Sequence, residues 1–424
     1  MTSRHRVPRA FGRVWAASGA ASFGDGIHRT ALPLLALGLT RDPLLLSLAT
    51  AAALLPWPLL ALAGGGPADR RDPRRTLRTL HAVRAVLLLA AAGCAAAGAF
   101  GLPLLTVLAF LLGTVHLLSG NALSACLRPL LRGDGPALRG ARVRLHATAD
   151  AAQGMAGPPA GALLFTLGRA VPLAAEALSF LFGALLLRSL PPGPPPARAA
   201  RGPRLREARA GAAHLVRDPL LLALALRPAL GNLALTAGTA VLVLFAREEL
   251  GLGPAGFALL LVAEAVGGLL GAVLSARIAE RIGIGGTLAL TAGLLALSQA
   301  GLGFAVHPLA AGAALALGGA AVGAALVPAA AVRQGLVAPS AAAGVTAASR
   351  LLAVSAAPLG AVLGGWVAST AGLRAPYLAG AVFLAAGTVV GLAVTTNRRI
   401  ETGLARAHTA RGEPAARLRR AVPA

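Results

Sequence analysis

The chain has 424 residues, of which 56% are hydrophobic and only 13% charged, and it carries a formal charge of +24. A soluble domain holds roughly 25% charged residues, and soluble chains of this length split into domains with wet surfaces, so the composition excludes an ordinary soluble protein. A charge this high would suit a nucleic-acid binder. However, the arginines gather at the ends of apolar runs and aromatic residues make up only 4%, which leaves the lipid bilayer as the partner.

The N-terminus, with Arg4, Arg6 and Arg9 ahead of an apolar run, has the outline of a signal peptide. Its run is interrupted by Asp25, His28 and Arg29 and extends too far, so a retained first span is expected. Apolar runs of about spanning length fall at 14–39, 44–66, 78–100, 103–127, 146–168 and 171–190. After a break they resume at 219–246, 254–276, 286–305, 308–329, 345–369 and 375–396. The break opens on Pro191-Pro-Gly-Pro-Pro-Pro and continues through Arg198, Arg201, Arg204, Arg206 and Arg209. Such a stretch breaks helices and carries charge that hydrocarbon does not accept, so it is expected as an aqueous loop.

These runs predict an all-α integral membrane protein of twelve transmembrane helices in two pseudo-symmetric six-helix bundles. The first bundle covers 1–190, the Pro/Arg-rich linker 191–217 and the second bundle 218–397, with a basic tail over 398–424 expected to be disordered. Loop arginines set the orientation: with the N-terminus inside, 31 lie on the inner side and four, Arg41, Arg169, Arg247 and Arg374, outside. Both termini and the linker are therefore expected in the cytoplasm, in a multi-pass protein of the cell membrane. The joints of the halves are alike: Arg41-Asp42-Pro43 follows span one and Arg217-Asp218-Pro219 precedes span seven. Two similar bundles joined by a cytoplasmic linker suit a rocker-type transporter.

Ionisable residues at membrane depth cost roughly 2.5–3.5 kcal/mol each on insertion scales, so each needs a reason. Asp25 lies near the middle of span one, and Arg29, four residues on, shares its helical face. Asp25 is then either a proton or cationic-substrate site governed by Arg29, or half of a structural ion pair. Glu264 sits mid-span in run eight without a local partner, as a proton carrier or as a neutral hydrogen-bonded group. Arg227, beside Pro228 in span seven, and Arg350, at the start of span eleven, are candidate partners for an acid elsewhere. Arg84 is within snorkelling reach of the inner surface, and a lone His116 is expected to make one structural hydrogen bond. Glu176, near the outer boundary of span six, is expected to be structural. Cys94 and Cys126 are expected as small hydrophobes, not as a disulfide.

The loop after span two reads Gly65-Gly-Pro-Ala-Asp69-Arg70-Arg71-Asp72-Pro73-Arg74-Arg75. Its glycines allow close helix approach, and Asp69 with Arg70, Arg74 and Arg75 can clamp two helices by charge-assisted bonds. Here the sequence resembles the major facilitator superfamily, whose signature between spans two and three is matched by Gly65, Asp69, Arg70 and Arg74. Asp72 and Pro73 depart from that signature. Further likeness to the macrolide-efflux and enterobactin-exporter branch lies in Ser22-Phe-Gly-Asp25, Leu55-Pro-Trp57, Glu176-Ala-Leu-Ser-Phe180 and Ala357-Pro-Leu-Gly360. In the second half Ser275 takes the acid's place. Gly154, Gly157, Pro158, Pro159 and Gly161 in span five are similar to the Gly/Pro-rich stretch of the superfamily's antiporters.

The resemblance implies a secondary transporter: proton-coupled efflux of a small amphipathic molecule by alternating access, by a monomer. Asp25, Arg29 and Glu264 are then the coupling or substrate groups, and residues 65–75 the cytoplasmic gate. Uptake or facilitated diffusion of a small solute, or a non-transporting scaffold or sensor, are the alternatives. No Walker loop, metal-ligand cluster or nucleophile–base arrangement stands out, so no enzyme, cofactor or metal is expected.

Overall fold

The structure is a computed structural model describing residues 9–62, 72–131, 135–190, 205–337 and 341–410. The first half comprises α1 (Arg9–Leu37), α2 (Pro43–Leu54), α3 (Pro56–Leu62), α4 (Pro73–Ala96), α5 (Leu102–Leu130), α6 (Gly135–Ala149), α7 (Gly157–Leu167) and α8 (Val171–Arg188). A π-helical segment, Asp150–Ala156, joins α6 to α7. There follow α9 (Leu205–Arg217), α10 (Pro219–Leu244), α11 (Pro254–Phe304), α12 (Pro308–Leu336), α13 (Ala342–Ala371), α14 (Ala375–Val394) and α15 (Asn397–Ala410). Each apolar run falls on helix wherever it is described. Nine helices among the described residues are long and apolar enough to cross a membrane. One of them, the 51-residue α11, carries two runs and is broken at Gly283, whose φ of 74° favours glycine.

Helix starts follow from one piece of chemistry used repeatedly. Asp42, Asp72 and Asp218 each precede a proline, and their carboxylates accept from Leu44 N (2.8 Å), Arg74 N (3.1 Å) and Leu220 N (2.9 Å). The carboxylate satisfies an orphan N–H, and the proline fills the first helical position where no N–H is needed. The alike joints of the two halves are thus alike for a local reason.

Two stretches differ from expectation. The linker's second part is helical, because its last proline is Pro203 and α9 then sets Leu215 against Leu221, Ala225, Val337 and Val345. The tail is helical through Ala410, because Ile400 and Leu404, one turn apart, are buried against Leu224, Leu288 and Val332. Asn397 also ties α15 to the break in α11: it accepts from Gly285 N (2.7 Å) and donates to Ile282 O (2.9 Å).

The chain divides into two compact units. One contains 1–41, 52–202 and 252–262; the other contains 42–51, 203–251 and 263–424. In the first, α1 crosses the π-helical segment and α7 backbone to backbone. A Cβ on Gly26 would stand 2.7 Å from Gly157 Cα and 2.9 Å from the carbonyls of Ala152 and Gln153. With little hydrophobic drive between helices in lipid, such small-residue crossings supply the close packing. In the second unit α12 lies on α11 in the same manner, with Gly319 against the Glu264 carbonyl and Gly323 against that of Gly268. Ser275, in the acid's place, is buried and donates to Ala324 O at 2.8 Å. Both cysteines are free.

Candidate functional site

Helix α4 buries one face, on which Leu77, His81, Arg84 and Leu88 follow each other at helical spacing. Arg84 is only 3% exposed, so it does not snorkel to a surface; its guanidinium turns inward between two carboxylates. Nη2 lies 2.5 Å from Asp25 Oδ1 of α1 and 2.9 Å from Glu176 Oε1 of α8. Glu176, fully buried, is therefore an ionic partner of Asp25's cation. Phe180, one turn beyond Glu176, places its ring 4.1 Å from Arg84 Cζ, a cation–π contact that shields the charge.

Histidines extend the cluster on both sides. His28 Nδ1 is 3.0 Å from Glu176 Oε2, and His116 of α5 is 3.5 Å from Asp25 Oδ2. His116 is 45% exposed at its side chain and faces a cavity of about 530 Å³ lined also by Asp25, Arg84, His81, Gln153 and Arg142. His81 packs edge-on to Phe180 with ring centroids 5.4 Å apart, and Gly183 leaves the space its Nδ1 occupies. Four helices thus converge on one ionic chain, His116–Asp25–Arg84–Glu176–His28, open to the cavity at the His116 end.

The electrostatics of this chain are unbalanced. Two carboxylates, Asp25 and Glu176, face the Arg84 guanidinium, and uncompensated charge at membrane depth is costly.

Of the residues singled out in the sequence, Asp25 is in this cluster. Its cation comes from another helix: Arg29, expected as its partner, is half-buried on α1 and has an interaction of its own. Glu264, expected without a partner, is half-buried and engaged in an interaction. Arg227 donates to Thr291 Oγ1 at 2.5 Å, its Nη1 being buried without a hydrogen bond, and Arg350 is exposed. Neither of these arginines, nor Glu264, lines the cavity. Arg74 and Arg75 lie in the first turn of α4, whereas Gly65, Asp69 and Arg70 lie outside the described residues. The residues underrated in sequence were Arg84, Glu176 and His116. The spacing of His81 and Arg84 with Leu77 and Leu88 is the signal that places Arg84 on a buried face.

The profile of a family described as transmembrane secretion effector matches residues 6–415. No curated protein matches the sequence. Among solved structures, the nucleoside transporter NupG superposes with a TM-score of 0.70 at 14% identity, covering 91% of this chain and 100% of its own. A bacterial homologue of the iron transporter ferroportin, in an inward-facing state, reaches 0.69 at 14% identity over 91% of this chain and 98% of its own. A bacterial homologue of the human lysosomal transporter Spinster reaches 0.67 at 12% identity over 95% of this chain and 99% of its own. These likenesses give the fold, and the profile gives the family: the chain belongs to the transmembrane secretion effector family of major facilitator transporters, multi-pass membrane proteins that transport and are not enzymes.

Proposed function

We propose that the protein is a proton-coupled exporter of a small amphipathic molecule, and that Asp25 with Arg84 and Glu176 forms the coupling group. The observation that carries this is the two-to-one ratio of buried carboxylates to guanidinium beside a cavity. Binding one proton makes the cluster neutral, which lowers the cost of moving it through a dry state; losing it restores the charge. A carboxylate that exchanges Arg84 for a proton also changes what the cavity wall offers to a substrate, and this links the two fluxes.

The family description, which names secretion, supports the outward direction. The arginine excess on one side of the runs supports cytoplasmic termini in the plasma membrane, and residues 65–75 then form the inner gate. Nothing in the proposed cycle needs a second subunit, and Glu264 serves as a second protonatable group.

The test is transport in reconstituted vesicles under an imposed pH gradient, using compounds that raise the melting temperature of the purified protein. Wild type should move such a compound against its gradient when protons flow the other way. Asp25→Asn, folded and inserted, should keep binding and equilibrating exchange but lose the pH-driven accumulation. If Asp25→Asn and Glu264→Gln both accumulate normally, the coupling assignment fails. Accumulation with protons flowing in the same direction would make the protein an importer.

A further inference from the structure

The cavity in the first unit also identifies the kind of molecule it accepts. Among the described residues Asp25 is the one acid in its wall, and its oxygens are taken by Arg84 at 2.5 Å and His116 at 3.5 Å. A cationic ligand would have to displace Arg84, which is buried and cannot leave for water. Among the described residues the wall therefore holds no free counter-charge for a cation.

Free positive charge, by contrast, is present. Arg142 and His146 lie one turn apart on the face of α6 that lines the cavity. Among the described residues neither makes a hydrogen bond or an ion pair. They sit well away from the ionic chain. Gln153 is eleven residues beyond Arg142, about 16 Å along a helix, and its carbonyl is at the Gly26 crossing beside Asp25. The wall is furnished also by Leu77, Leu123, Leu127 and Leu145, with the hydroxyls of Ser18 and Ser22. The cavity wall thus combines Arg142 and His146, leucine side chains with a few hydroxyls, and the engaged Asp25–Arg84 pair.

We infer that the transported molecule is an anionic amphipath, its carboxylate, sulfonate or phosphate held by Arg142 and His146 and its apolar body lying along the leucines toward Asp25. This rests on the cavity being the transport site. It narrows the proposed function from amphipathic molecules in general to acidic ones, and it gives Arg142 a binding role. An arginine suits the task because its planar donor fork meets a carboxylate or phosphate with two parallel bonds.

The experiment uses the purified full chain in nanodiscs and a matched pair of fluorescent probes: anilinonaphthalene sulfonate, and phenyl-naphthylamine, which has the same aromatic body without the sulfonate. Empty nanodiscs provide the subtraction. Wild type should bind the sulfonate saturably and more tightly than the neutral probe. Arg142→Gln should weaken the sulfonate about tenfold, the loss of one charge-assisted contact, and leave the neutral probe unchanged. Arg142→Lys should recover most of the loss. Absence of saturable sulfonate binding, equal weakening of both probes, or no change in Arg142→Gln would each overturn the inference. Since binding is measured without any gradient, these outcomes are independent of coupling, which is read by Asp25→Asn in vesicles.

Discussion

Replacing Arg84 with Met is the sharpest perturbation of the buried ionic chain. Methionine follows the guanidinium's stem closely in length and keeps the contact with Phe180, so packing changes little. Electrostatics change greatly, because Asp25 and Glu176 lose the single guanidinium that lies 2.5 and 2.9 Å from them. Removing one partner from a buried ionic group typically costs about 3–5 kcal/mol, since it leaves charge uncompensated. Two carboxylates depend on this one cation, so the upper end of that range is expected unless one of them takes a proton. The check is thermal unfolding in nanodiscs, followed by tryptophan emission, for wild type, Arg84→Met, Asp25→Asn/Glu176→Gln and the triple variant. Arg84→Met should melt far below wild type, and the triple variant should recover most of the difference, because it replaces the charges with neutral groups of like shape. The double variant strips Arg84 of both carboxylates and should be destabilised as well. A triple variant no more stable than Arg84→Met would show that the loss came from packing and would refute the electrostatic account.

Two further perturbations address the scaffold around the site. Gly157→Leu places a branched side chain where Gly26 Cα already stands, so α1 must separate from the π-helical segment; loss of monodisperse protein on fluorescence-detected gel filtration is expected, while Gly93→Leu, where nothing lies within 4 Å, should behave as wild type. Asn397→Ala removes the bonds to Gly285 N, Gly286 N and Ile282 O. Three backbone groups at the break in α11 then turn to solvent, and amide exchange at 282–286 should rise several-fold while exchange in α13 stays the same; uniform rates in both segments would contradict the clasp.

Much of the architecture is legible because bilayer physics is strict. Helix position follows from apolar runs, and helix starts from Asp-Pro pairs whose chemistry is local. The site was only half legible, for a reason seen in Arg84. Its sequence neighbours, Val83 and Ala85, say only that it lies in a helix near one end of a run, where snorkelling is the ordinary expectation. Its burial depends on the direction in which α4 faces α1 and α8, and in a chain this rich in Ala and Leu the polar face of a helix is weakly marked. Asp25 illustrates the same limit: four-residue spacing points to Arg29, while the contact from Arg84 on another helix leaves no local mark in the sequence. The break at Gly283 was hidden as well, because the residue that clasps it, Asn397, lies 114 positions away.

The composition of the ionic chain bears on what it is for. A group that only joined α1, α4 and α8 would be served by one acid and one arginine, which together are neutral and need no proton. A second carboxylate on the same guanidinium adds desolvation cost that such a brace would not need. The two histidines stand at opposite ends of the chain, His116 half-exposed to the cavity and His28 on Glu176. Each end therefore sets a histidine against a carboxylate, while Arg84 contacts both acids. The helices pack closely at Gly26, Gly157 and Gly183, so the cluster meets water from the cavity side. Two buried acids on one arginine, closely packed and with one wet end, are the observations that support the proposed coupling role.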